Sequence, residues 1–145
     1  MAKYFICRIA YDKQITDPTS RDCGKIKSVN ESYMVNALSC AEAEAVIIKE
    51  VAQYIKGDWT IKSIKAANVA EIINEDTEFD RWYQARIAMC VVDEVKGTES
   101  WIATTVLVKA DTFYWAYQSI VERFKDSIVD YELVSLSKSQ IVDLF

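Results

Sequence analysis

The sequence predicts an α+β fold in which a β-β-α-β unit occurs twice in tandem, and three observations carry that prediction. Tyr33 to Val51 (YMVNALSCAEAEAVIIKEV), shifted by 73 residues, lies over Val106 to Phe124 (VLVKADTFYWAYQSIVERF). Val35 then meets Val108, Ala37 meets Ala110, Ala43 meets Ala116, Ile47 meets Ile120 and Val51 meets Phe124. In both copies an extended run ends at a small residue, a hydroxyl residue follows (Ser39, Thr112), and apolar residues then recur at helical spacing. Finally, 145 residues that are 51% hydrophobic, with three glycines and one proline, leave little room for linkers. The expectation is one domain over 1–145, with repeat one at about 1–73, an acidic connector at 74–80 and repeat two at about 81–145. One such unit leaves a sheet face and a helix stripe half covered. Two units are therefore expected to cover each other about a pseudo-twofold axis, their helices packed on mixed or antiparallel sheet.

The elements follow in order. Tyr4 to Tyr11 is aromatic and β-branched and reads as a strand. Asp12 to Gly24 is turn-prone and polar, and reads as a long, mobile loop. Lys25 to Asn36 returns as the hairpin partner. Ser39 is the expected N-cap of the first helix, with Glu42 completing a capping box. Ala43, Ile47, Val51 and Tyr54 form one apolar stripe, and Gly57 is the expected stop. Trp59 to Ile64 reads as a third strand, and Val69 to Ile73 as either extended or turn-like. Arg81 to Asp93, Glu99 to Val108, a helix capped by Asp111 or Thr112 and running to about Lys125, and Tyr131 to Leu136 repeat the plan. The final SQIVDLF loosely looks like the short peptides that dock on bacterial sliding clamps. The same pattern recurs in mid-chain at Asn68 to Ile73, so a strand or turn packed on the core is the favoured reading.

Composition narrows the function. A formal charge of −5 argues against coating nucleic acid through bulk charge, since that affinity comes from Lys and Arg neutralising phosphates. No apolar run approaches the roughly 20 residues of a membrane span. The four cysteines form no C-x-x-C pair, and the expected location is cytoplasmic. The chain has no histidine, which removes the usual general base and the commonest zinc ligand. It also lacks a phosphate-binding loop and any dinucleotide turn. No enzyme, cofactor or metal is expected, and the acids Glu75, Asp76, Glu78 and Asp80 read as a solvated connector.

Two constellations remain. The second helix carries Phe113, Tyr114, Trp115 and Tyr117 where the first has Cys40, Ala41, Glu42 and Glu44. Four such rings cannot all face one stripe about 100° wide. They either fill a gap between the repeats or form an interface for a protein partner or a homodimer. Trp115 and Tyr117 are the preferred interface residues because they replace glutamates. The other constellation is Arg8 and Arg86, at matching strand positions in CRIAY and ARIAM. They are candidates for converging on one anion through their planar guanidinium forks. The favoured alternative pairs them with the repeat-equivalent acids Glu71 and Asp143.

The runs KYFICRIAYDK, ESYMVNALSCAEAEAVIIKE and SIKAANVAEII resemble a family of small proteins of unknown function from gut Bacteroidota and their phages and mobile elements. That resemblance implies a phage- or mobile-element-associated cytoplasmic setting and assigns no residue a role. The resulting expectation is a non-enzymatic interaction protein that binds a partner or itself through the aromatic helix surface. The alternative is a nucleotide or single-stranded nucleic-acid module, using the aromatics for stacking and Arg8 and Arg86 for phosphate.

Overall fold

A computed structural model describes residues 3–145. The element order is β1 (Tyr4–Gln14), β2 (Ile26–Asn36), α1 (Cys40–Val51), β3 (Trp59–Ala67), β4 (Glu71–Ile73), β5 (Arg81–Asp93), β6 (Thr98–Ala110), α2 (Phe113–Phe124), β7 (Tyr131–Lys138) and β8 (Ile141–Leu144). The fold is α+β, with two helices and two mixed sheets of four strands each. Among the described residues no helix is long and apolar enough to cross a membrane.

Both sheets have the same plan. One runs β3-β1-β2-β8 and the other β7-β5-β6-β4. In each, a long antiparallel hairpin forms the centre and the strand after the helix pairs antiparallel on one side. A β-bulge falls at the same place in both, between Arg8 and Ile9 and between Arg86 and Ile87. The fourth strand is the difference from the expected β-β-α-β unit. β4 pairs parallel with β6, opposing Ile72 to Leu107, and β8 pairs parallel with β2, opposing Leu144 to Met34. Each sheet thus takes its edge strand from the end of the other repeat. The compact units follow this exchange: one holds the chain up to Ala67 together with Ile141–Phe145, and the other is Asn68–Gln140. Within Val69–Ile73 the last three residues, Glu71–Ile73, resolve as a short strand, and within SQIVDLF the residues Ile141–Leu144 form a strand held in a ladder.

Each unit has its own core, built from one sheet face and one helix stripe. Phe5, Cys7, Ile9, Tyr33, Val35 and Ala37 meet Ala43, Ile47 and Val51 of α1. Tyr83, Ala85, Ile87, Val106, Val108 and Ala110 meet Ala116, Ile120 and Phe124 of α2. Volume is redistributed between matching positions: Tyr33 against Val106, and Val51 against Phe124. Such exchanges are tolerated when total core volume is kept. Burying each large aliphatic side chain stabilises by about 1.5–3 kcal/mol, so the stripes hold the helices down.

Three expectations are corrected. α1 ends at Val51, where the Tyr54 and Ile55 amides both donate to the Val51 carbonyl and tighten the exit. Tyr54 lies past the helix and is exposed, and Gly57, with φ of 100°, serves the turn into β3. The hairpin strands continue to Gln14 and from Ile26, so the loop shrinks to 15–25. Its ends are tied by Ile15 N–H to Lys25 O at 2.9 Å and Gly24 N–H to Ile15 O at 2.8 Å.

Candidate functional site

The two helices begin alike and diverge within one turn. Ser39 Oγ accepts the Glu42 N–H at 3.2 Å, and Thr112 Oγ1 accepts the Trp115 N–H at 3.3 Å. In α1, Glu42 returns its carboxylate to the Leu38 N–H at 3.0 Å, just before the cap residue. This is a form of the capping box shifted by one residue, and it places negative charge at the positive end of the helix dipole. In α2 the same position is Trp115, and the first turn contains no acidic residue. α2 therefore lacks the box carboxylate, worth a few tenths to about 1 kcal/mol.

Burial does not compensate for that loss. Phe113 is 50% exposed, Tyr114 62%, Trp115 55% and Tyr117 46%. Phe113 leans edge-on against buried Tyr83, with centroids 4.8 Å apart. Tyr114 and Trp115 meet edge-to-face at 5.3 Å. The four candidates are gathered at the start of one helix: Phe113 continues the core stripe onto Tyr83, Tyr117 borders it, and Tyr114 and Trp115 lie outside it. A groove of about 500 Å³ adjoins Trp115, with Ile73, Ser119 and Arg123 among its lining. Asn74, held in a left-handed conformation (φ 62°), donates to Ser119 Oγ at 2.8 Å and to the Lys109 carbonyl at 3.3 Å. The groove is thus fixed by hydrogen bonds.

The arginine candidates stand differently. Arg8 and Arg86 are exposed, one in each unit, opposite Ser32 and Thr105 respectively. Each alternates with core residues, so it projects from the sheet face away from its unit's helix. The expected Arg–carboxylate pairing is corrected: Glu71 is engaged by Arg123 of α2. Glu71 opposes Val106, whose side chain faces α2, whereas Arg86 opposes Thr105 on the other face of the sheet. No ion pair among the described residues involves Arg8, Arg86 or Asp143.

A further constellation escaped the sequence reading. In the first unit Tyr11 donates its hydroxyl to Glu31 Oε1 at 2.8 Å, and Tyr33 donates to Glu31 Oε2 at 2.6 Å. Tyr33 stacks on Phe145 with centroids 5.3 Å apart. These residues line a cavity of about 370 Å³ together with Tyr54 and Asp143. Burial, reinforced by the Glu31 hydrogen bond, pushes the Tyr33 phenol well above the ordinary tyrosine range. The Glu31 hydrogen bond likewise raises Tyr11. The available signal was a carboxylate, Glu31, in phase with the inward residues Tyr33 and Val35 of one strand. Matching positions in the second unit are Met89, Thr104 and Val106, so this site exists in one unit only.

The family model for a domain of unknown function, DUF4494, matches residues 3–145. No curated protein and no solved structure matches the chain.

Proposed function

We propose that this chain, which belongs to the DUF4494 family, is a non-enzymatic interaction protein that docks a protein partner or a second copy of itself on the first turn of α2. The supporting observation is Trp115. It occupies the position where α1 uses Glu42 to close its capping box, and it remains half exposed. A residue that forgoes local stabilisation without entering the core is accounted for by something outside the core. Aromatic side chains, above all Trp and Tyr, dominate the centres of protein interfaces. The cysteines are unpaired thiols, which fits the proposed reducing cytoplasm, and a phage or mobile-element origin is proposed on the sequence resemblance alone.

The nucleic-acid reading has less support. In the second unit the aromatics lie on α2 and Arg86 lies on the opposite face of the sheet, so one strand of nucleic acid cannot readily use both. Glu122 also lines the groove beside Trp115, where it would repel phosphate.

The test compares the wild type with Trp115→Glu/Tyr117→Glu, which gives α2 the residues α1 carries at these positions. The expected result is self-association in sedimentation velocity, or stoichiometric capture of one protein, that the double variant abolishes with its circular dichroism unchanged. Equal behaviour of the two proteins overturns the reading. Tryptophan quenching by an oligonucleotide at low salt, lost in the double variant, would transfer the surface to the alternative.

A further inference from the structure

We infer that the cavity between β1, β2 and β8 binds a methylated ammonium group. It is lined by the rings of Tyr11, Tyr33, Tyr54 and Phe145 and by the carboxylates of Glu31 and Asp143, and no lysine or arginine lines it. Glu31 is half-buried, and no ion pair among the described residues involves it. A carboxylate withdrawn from water without a cation is costly unless hydrogen bonds or a ligand compensate it. Two phenol hydroxyls supply part of that compensation, and a bound cation would supply the rest. Aromatic side chains beside a half-buried negative charge are the chemistry that recognises alkylated ammonium ions, through cation–π attraction.

The apolar lining favours a methylated head group over a primary amine. Each Glu31 oxygen already accepts one phenol, and Asp143 accepts the Leu144 N–H at 2.8 Å. These bonds use one acceptor site on each Glu31 oxygen, and the rest of the lining, the rings together with Ile55 and Val142, is apolar surface that methyl groups cover and N–H donors do not. The walls are preorganised. Phe145 donates its amide to the Met34 carbonyl at 2.8 Å and accepts from the Asn36 amide at 2.9 Å, which fixes its ring against Tyr33. Glu31 and Asp143 are the charged groups of the lining, both acidic, so the site carries negative potential. About 370 Å³ is within the range of small-molecule pockets.

The experiment is a calorimetric titration of the full chain with choline, its neutral isostere 3,3-dimethylbutan-1-ol, and n-butylammonium. Saturable choline binding is expected, with both comparison compounds weaker by about tenfold or more. Tyr54→Ala removes an exposed wall, so it should weaken choline binding several-fold while the melting temperature stays unchanged. Glu31→Gln, which keeps an acceptor for the phenols and removes the charge, should weaken it by about tenfold. Absence of saturable choline binding overturns the inference, as does equal binding of the neutral isostere or indifference to both variants. Preference for n-butylammonium overturns the choice of a methylated group.

Discussion

At the scale of single residues, the two units differ most where a polar group enters an otherwise apolar phase. Tyr33 is buried, and its hydroxyl is satisfied by a carboxylate from the same strand. Its proton is held more tightly folded than unfolded, so its contribution to stability is complete below the ordinary tyrosine pKa near 10. That contribution is lost as pH rises from there, because the unfolded chain ionises first. Tyr33→Phe should cost about 1 kcal/mol at neutral pH for the lost hydrogen bond, and should make the alkaline loss of stability shallower. Urea midpoints at neutral pH and at about pH 11 check this, and an unchanged alkaline slope would contradict it. Cys7, whose thiol burial pushes up to about 11, adds an alkaline loss of its own from pH 9 upward that the variant retains. Little of this was legible in advance. Tyr11, Glu31 and Asp143 come from three strands, and only the register and the β8 pairing bring them to one cavity.

At the scale of elements, the sequence is most readable where periodicity and capping chemistry agree. Ser39 and Thr112 cap as expected, and Ala43, Ile47, Val51, Ala116, Ile120 and Phe124 are all buried. β5 spans Arg81 to Asp93 as its composition predicts. Ends were less readable. Tyr54 continues the apolar spacing, yet the helix has already ended, because spacing carries no information on where a chain leaves its stripe. Strand lengths were underestimated around the first loop, since Asp12 to Gln14 is polar and pairs only because the hairpin continues. The divergence of α2 from α1 makes a prediction at this scale. Trp115→Glu should raise stability by about 0.5 kcal/mol, through a restored box and a favourable charge at the helix dipole. Chemical denaturation of the single variant measures it. A clear destabilisation would mean that Trp115 serves packing.

At the scale of the whole molecule, the shared strand order of the two sheets was foreshadowed by the recurring pattern, and the exchange of edge strands was not. Glu71-Ile72-Ile73 and Asp143-Leu144-Phe145 match in sequence, but a parallel strand of three or four residues carries no local mark of the sheet it joins. That choice is tertiary, and it also decides that Glu71 meets Arg123 while Asp143 lines a cavity. Two units with the same sheet order and different surfaces provide an internal control for the proposed docking function. Photo-cross-linking from a benzophenone amino acid placed at position 115 or 117 of α2, and at the matching position 44 of α1, uses that control directly. The account predicts a discrete adduct, to a second copy or to one partner protein, from positions 115 and 117 and none from position 44. Equal yields from both helices, or no adduct from α2, would contradict it.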